Sequence, residues 1–559
     1  MLALAARLFC LWEVGPMPFT YALVGDAASF WAWAGRLAGG DWLGNEVYYQ
    51  APLYAHFLGV IRLLFGERIL APYLVQALLG SLACAALASA GAALFSARVG
   101  LLAGALLALY PPAIFFDGIL QKESLAVVLC CGLLWCVARI RTAPRWWQAL
   151  LLGALLGLLA LTRENTMVWI PLLAAWLWLR ARGADAPQVG QGRGLARALA
   201  LVAGVALVLF PVALRNHLVG HELVLATSNL GPNLYIGNGP AADGTYVPLR
   251  PGRANARFER EDAGALASKA EGRALSSGEV SRHWTRRTLA FVAAHPLAWL
   301  RLMIHKALLF WNAYELPDTQ DYEFSKRWSW VLRGGGAVWH FGVLFPLAVL
   351  GAFLAGRRAQ WILYALVLSQ WAAVSAFFLF ARYRLPIVPV LMLFAAAGLS
   401  AAWDRRAEQG RALAGPLAAA LAAIVLANLP LHPPGRHEAM ALYNWGVVLQ
   451  QQGHPAEAAQ RFHEALEVDA DLAEAHYNLG TQLWRAHRPG EAQRALLEAV
   501  RARPAYSEAW NGLGLARWDL GDLRGAEQAF LRSVAEDEQN AKAVQNLARL
   551  RAAGGALPK

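Results

Sequence analysis

The chain has 559 residues, of which 57% are hydrophobic and only 16% charged, with a net charge of +12. A soluble domain carries about 25% charged residues, so this balance excludes a wholly soluble protein and points to a membrane. The positive excess is no nucleic-acid footprint: the arginines stand in short clusters between apolar stretches (Arg139/Arg141/Arg145, Arg180/Arg182, Arg193/Arg197, Arg357/Arg358, Arg405/Arg406), with no basic stripe of interleaved aromatics.

The first apolar stretch, from Met1 to about Leu11, is short for a span. It reads as a truncated first helix or as one whose start is set too late. A signal peptide is the runner-up, but Leu11-Trp12-Glu13-Val14 is not a small-residue cleavage site. The segment 15–71 is rich in aromatics and short helical patterns. Apolar stretches of spanning length follow near 72–95, 99–116, 124–140, 146–162, 165–180 and 198–215. The polar segment 216–296 has turn signals at Gly231-Pro232, Gly237-Asn238-Gly239-Pro240 and Pro251-Gly252. Further spans read at 337–356, 360–380, 384–403 and 412–429, with a shorter apolar stretch at 297–313. Charge interrupts the pattern at Asp117, Lys122-Glu123 and Arg163-Glu164, where it is costly unless it meets water, a cavity or a partner.

With the Arg-rich loops placed in the cytoplasm, 15–71, 117–123, 163–165, 216–296 and Arg382/Arg384 face outward, and the last span carries the C-terminal region out. Parity then leaves 297–313 no place as a full span, so it is re-entrant or interfacial. Cys10, Cys84, Cys130, Cys131 and Cys136 lie in apolar segments without a CxxC pair, which reads as buried small hydrophobes.

After Pro433-Pro434 the composition turns to Ala, Glu, Gln, Arg and Leu. Gly446/Gly480/Gly514, Ala458/Ala492/Ala526 and Phe462/Leu496/Phe530 each recur at a spacing of 34. Small residues let two helices of a unit approach, and large apolar ones fill the seam. This pattern resembles the tetratricopeptide repeat (TPR) family. It implies a domain over 437–555 with repeats 439–472, 473–506 and 507–540 and a capping helix 541–552. The family binds a protein or peptide in a concave groove.

In the membrane part, Val24-Gly25-Asp26-Ala27-Ala28-Ser29-Phe30-Trp31 leads to Gly40-Asp41-Trp42 and Tyr48-Tyr49-Gln50-Ala51-Pro52-Leu53-Tyr54. Gly118-Ile119-Leu120-Gln121-Lys122-Glu123-Ser124, Leu161-Thr162-Arg163-Glu164-Asn165, Pro211…Leu214-Arg215-Asn216, Asn233-Leu234-Tyr235-Ile236-Gly237-Asn238 and Arg382-Tyr383-Arg384-Leu385-Pro386 follow in order. The set resembles the GT-C membrane glycosyltransferases, family 39 above all, the dolichyl-phosphate-mannose–protein mannosyltransferases and their bacterial relatives. That family often has two adjacent acids at its first site; here Asp26 is followed by Ala27, so the resemblance does not fix the sugar.

The fold expected is mostly α: a polytopic transmembrane bundle of about 11–13 spans over 1–430, then a TPR α-solenoid. The resemblance implies inverting transfer of a sugar from a polyprenyl-phosphate donor to a hydroxyl of a protein, glycan or lipid. A poor nucleophile needs a carboxylate to take its proton at the membrane's outer face, and Asp26 stands there. A departing phosphate calls for cations, and Lys122, Arg163, Arg382 and Arg384 fall on the outer ends of spans. Asp117 is a candidate second acid.

Each residue also has a plainer reading. Asp26 would cap helix 27–38, Asp117 would be a turn residue, Lys122 would pair with Glu123, Arg163 would pair with Glu164, and one of Arg382 and Arg384 would anchor at the interface. No metal-ligand spacing appears, so no metal or other cofactor is expected, although some GT-C relatives use a divalent ion. The expected partners are the lipid-linked sugar, its acceptor, membrane lipid and a groove-bound peptide, without nucleic acid. The expected location is a bacterial inner membrane, with the site and the repeats on the periplasmic side. A membrane-anchored TPR scaffold and a surface-polysaccharide polymerase or ligase are the alternatives.

Overall fold

A computed structural model describes residues 1–140, 145–180, 191–250, 253, 256–355, 361–404, 414–431, 435–538 and 540–553. Arg141, Arg182, Arg357, Arg358, Arg405 and Arg406, and the Pro251-Gly252 and Pro433-Pro434 signals, lie outside the described residues. Among the described residues every regular element is helical, and the chain divides into two compact units.

In the first unit, α1 (Leu2–Val14) extends past the short apolar stretch and buries Arg7. Helices α2 (Gly25–Ala38) and α3 (Leu53–Phe65) share a core of Phe30, Leu37, Tyr54 and Leu58, with Phe30 edge-on to Tyr54 at 5.2 Å. The bundle follows with α4 (Leu70–Leu94), α5 (Ala97–Ala108), α6 (Pro111–Asp117), α7 (Glu123–Arg139), α8 (Trp146–Ala160), α9 (Trp169–Arg180) and α10 (Gln191–Gly220). Small residues set the crossings, as expected where lipid removes the hydrophobic drive between helices. A side chain at Gly100 or Gly104 of α5 would run into Ala88 of α4. One at Gly153 of α8 would meet Leu201 of α10, and one at Gly204 of α10 would meet Leu150 of α8. Between α5 and α6 the axis bends by 57°. Tyr110, held extended ahead of Pro111-Pro112, makes the break, because the helical region is disfavoured for a residue before proline.

The second polar segment folds as α11 (Leu230–Asn238), α12 (Ala256–Glu271) and α13 (Ser277–Ala294), the last opened by a Ser276–Glu279 capping box. Ala263, Ala267 and Trp284 hold α12 on α13. Helix α14 (Pro296–Phe310), 15 residues long, leaves α13 at 107°. The stretch that fitted no span in the topology reading is therefore a short helix set across its predecessor.

After α15 (Tyr322–Ser325) and α16 (Gly336–Val338) come α17 (Phe341–Ala355), α18 (Trp361–Ser375), α19 (Val388–Asp404) and α20 (Ala414–Ala427). Helices α17 and α19 meet backbone to backbone at Gly351 and Gly398. Leu70–Leu94, Gly194–Gly220, Val331–Ala355 and Ala381–Asp404 are each long and apolar enough to cross a membrane. Among the described residues three bent pairs raise the number to as many as 7, and α3, α8, α18 and α20 are shorter apolar helices.

The second unit holds α21 (Arg436–Gln451), α22 (Pro455–Val468), α23 (Ala473–Arg485), α24 (Pro489–Ala502), α25 (Ser507–Asp519), α26 (Leu523–Glu536) and α27 (Ala541–Ala553). The 34-residue spacing has a direct cause. A side chain at Gly446 would collide with Phe462, one at Gly480 with Leu496, and one at Gly514 with Phe530. Each glycine of a first helix thus receives the large residue of its second helix. Leu550 of α27 covers the last seam at Phe530.

Candidate active site

Asp26 stands in the first turn of α2, whose N-cap position is Val24, and the helix start has no side-chain cap. The carboxylate turns instead to two distant segments. Oδ1 accepts from Gln50 Nε2 at 3.3 Å, and Oδ2 accepts from Arg382 Nη2 at 3.1 Å. Gly25 permits this entry into α2: its φ is +56°, and Thr319 packs where a β-carbon would stand.

Arg382 lies in the 3-10 turn Ala381–Ile387 ahead of α19. Its Nη1 donates to Gln121 Oε1 at 2.7 Å, its Nη2 reaches Asp318 Oδ2 at 2.7 Å, and Glu123 Oε1 is 3.8 Å away. One guanidinium therefore joins α2, the turn after α6, the start of α7 and the loop after α14. Arg163 comes from the turn between α8 and α9. It pairs with the fully buried Glu123, not with its chain neighbour Glu164, and lies 4.7 Å over the Tyr383 ring.

Lys122, in the turn before α7, is only 8% exposed. Among the described residues its ammonium has no hydrogen-bond or ion-pair partner. Burial pushes it down to about 8, against the pull of Glu164 and Asp26. Arg163 Nε and Arg382 Nε are also buried without an acceptor. The three cations lie within electrostatic range of one another. Buried donors are normally satisfied, so two arginine Nε groups without acceptors, with the unpaired Lys122 ammonium and one carboxylate beside them, form a site suited to an anion. A small pocket opens beside Arg382, lined by Phe115, Phe116, Gln121, Asp318 and Tyr322 among others.

The structure brings together Asp26, Lys122, Arg163 and Arg382, and it puts Asp117 and Arg384 in other company. Asp117 accepts from Arg7 Nε at 2.6 Å, and Gln76 Nε2 donates to its backbone carbonyl at 3.0 Å. Both members of that ion pair are buried inside the bundle. Arg384 pairs with Glu315 at 2.8 Å, donates to the Asn312 carbonyl at 2.6 Å and sits 3.7 Å over the Phe341 ring. It fastens the loop after α14.

Three acids near Asp26 escaped the sequence reading. Asp318 follows Pro317 in a stretch without periodicity, and only the fold carries it to Arg382. Burial pushes its carboxyl up, with Arg382 opposing. Glu123 was visible only as a neighbour of Lys122. Glu259 stands on the polar helix α12 with nothing in its local sequence to set it apart, yet it is 9% exposed and accepts from Tyr49 Oη at 2.6 Å. Among the described residues no three His, Cys, Asp or Glu side chains are grouped so as to hold a metal ion.

Two protein families match the chain. Residues 49–214 match the dolichyl-phosphate-mannose-protein mannosyltransferase family, and residues 443–486 and 477–541 match the tetratricopeptide repeat family. Similar solved structures include the first TPR of Spaghetti (RPAP3) bound to HSP90 peptide SRMEEVD. It is 21% identical, with a TM-score of 0.21, over 22% of this chain and 96% of that one. The first TPR domain of human RPAP3 is 24% identical, with a TM-score of 0.21, over 21% and 94%. MamA from Desulfovibrio magneticus RS-1 is 27% identical, with a TM-score of 0.20, over 22% and 70%. No curated protein matches the chain.

The apolar helices and the two matches together describe an integral membrane protein whose N-terminal part is similar to membrane glycosyltransferases and whose C-terminal part is built of tetratricopeptide repeats. The match to the dolichyl-phosphate-mannose-protein mannosyltransferase family lies in the N-terminal part, and the C-terminal helices form a TPR array.

Proposed function

We propose that this protein transfers a sugar from a polyprenyl-phosphate donor to a hydroxyl acceptor at the outer face of the membrane. The observation that carries the reading is the pair of buried donors without acceptors, Arg163 Nε and Arg382 Nε, with the unpaired Lys122 ammonium, beside the Asp26 carboxylate. Asp26 takes the acceptor hydroxyl's proton as the oxygen attacks the anomeric carbon. The bond from that carbon to the phosphate oxygen breaks, and its electron pair leaves with the phosphate. Attack opposite the leaving group inverts the anomeric centre. Lys122, Arg163 and Arg382 stabilise the charge that grows on the phosphate, where a water-poor setting strengthens each contact. Asp318 and Gln121 hold Arg382 in place for this task.

The reading places the protein in a bacterial inner membrane with the site and the repeats on the periplasmic side, in keeping with the Arg-rich clusters on the other face. The repeats hold a protein acceptor or an assembly partner. The test compares wild type with Asp26→Asn, equally expressed in a deletion background. Mass spectrometry of periplasmic proteins, surface glycans and lipid-phosphate sugars provides the readout. A hexose-type mass increment present with wild type and absent with Asp26→Asn is expected, and the modified molecule names the acceptor. Identical profiles would sink the transferase reading in favour of a membrane-anchored scaffold.

A further inference from the structure

Glu259 is a carboxyl group of the second external region, buried in a helix that is otherwise polar. The groups facing it are Tyr49 from the loop between α2 and α3, Tyr246 from the loop between α11 and α12, and Asp26 from α2. Its own neighbour Arg260 turns away to Glu46 at 2.6 Å, so no cation compensates Glu259 among the described residues. Helix α12 is fastened to the first loop at the Tyr49 hydroxyl, 2.6 Å from Glu259 Oε1. The next residue along the chain, Gln50, donates to Asp26 at 3.3 Å. Two bonds from adjacent residues therefore link the second external region to the carboxylate of the proposed base.

We propose that Glu259 is a positioning residue for Asp26, acting through the Tyr49–Gln50 segment. The inference rests on the reading of Asp26 as the base. An uncompensated acid is a poor choice for simple stability, since a neutral residue would fill the same space without desolvating a charge. What an acid adds is a bond whose strength changes with ionisation. Burial pushes the Glu259 carboxyl up to about 7, with the hydroxyls of Tyr49 and Tyr246 opposing and Asp26 adding to the rise. Below that pH the Tyr49 hydroxyl meets a neutral acid. Above it the acceptor is a carboxylate, and the bond is charge-assisted, shorter and stronger. The Tyr49–Gln50 segment, and with it Asp26, is then held most firmly on the alkaline side.

The test uses the full-length protein in host membranes, with their own lipid-phosphate sugars and hydroxyl acceptors as substrates. The rate of the Asp26-dependent mass increment is followed from pH 6 to pH 8.5. Wild type is expected to rise through pH ~7. Glu259→Gln and Tyr49→Phe are each expected to lose that limb and to run about tenfold slower at pH 8, in turnover more than in apparent substrate affinity. Glu259→Asp keeps the limb. If Glu259→Gln does not accumulate, Tyr49→Phe carries the test, since it removes one hydroxyl. Should the Asp26-dependent product form with the wild-type rate and pH profile in both variants, the positioning role is wrong and the transferase reading stands. Should no Asp26-dependent product form at all, both fall.

Discussion

Arg7 and Asp117 show how much a single pair of side chains governs in this molecule. Both are buried, 2.6 Å apart, in a bundle where an unpaired charge has no water to turn to. Removing one partner of such a pair costs about 3–5 kcal/mol, whereas replacing both with neutral groups is often close to neutral. Arg7→Met is therefore expected to lower the thermal midpoint sharply in detergent, and Arg7→Met with Asp117→Asn to recover most of the loss. Because Asp117 touches none of the groups around Asp26, folded Asp117→Asn should transfer sugar at nearly the wild-type rate. A folded but inactive Asp117→Asn would return Asp117 to the chemistry. Arg382 differs in kind: three carboxylates and an amide share it, and its Nε has no acceptor.

At the scale of elements, the junction between α2 and the loop after α14 sets the distance between Asp26 and Asp318. Gly25 holds a left-handed φ of +56° with Thr319 against it, so Gly25→Ala meets a backbone penalty and a collision together. The expected loss is about 2–3 kcal/mol, with weakened transfer because both acids shift. Adding Thr319→Ala relieves the collision alone and should restore part of the thermal midpoint and of the rate. No recovery would mean that the backbone term dominates. The repeats use the opposite device, a glycine that receives a large partner. Gly480→Val brings a branched side chain against Leu496, where an added Cβ would already stand 2.6 Å from Leu496 Cγ. Overpacking of this kind costs about 1–3 kcal/mol. With only three repeats and a capping helix to share the loss, the array should open to protease at lower temperature while the membrane unit keeps its own melting behaviour.

For the whole molecule, the same variant asks what the repeats are for. If the array holds the acceptor, Gly480→Val should change which molecules carry the added sugar while Asp26-dependent turnover of the lipid-linked donor persists. An unchanged acceptor profile with a demonstrably opened array would remove the acceptor-holding role.

The sequence by itself determined the membrane character, the helical class and the repeat array. Hydropathy over about 20 residues and a 34-residue period are local statements about chain and solvent, and no partner far along the chain alters them. It also marked Lys122, Arg163 and Arg382, because charge at the end of an apolar stretch needs a reason wherever it stands, and it marked Asp26 through a family resemblance. Only the tertiary structure decided which of these charges belong together. Asp117 and Arg384 carry the same local signature as the others, yet each is neutralised by a partner from a distant segment, Arg7 and Glu315. Asp318 and Glu259 carry no such signature and still face Asp26 or its guanidinium. Whether a buried charge is answered or left open depends on what the fold brings within a few ångströms of it, and a pattern along the chain does not contain that distance.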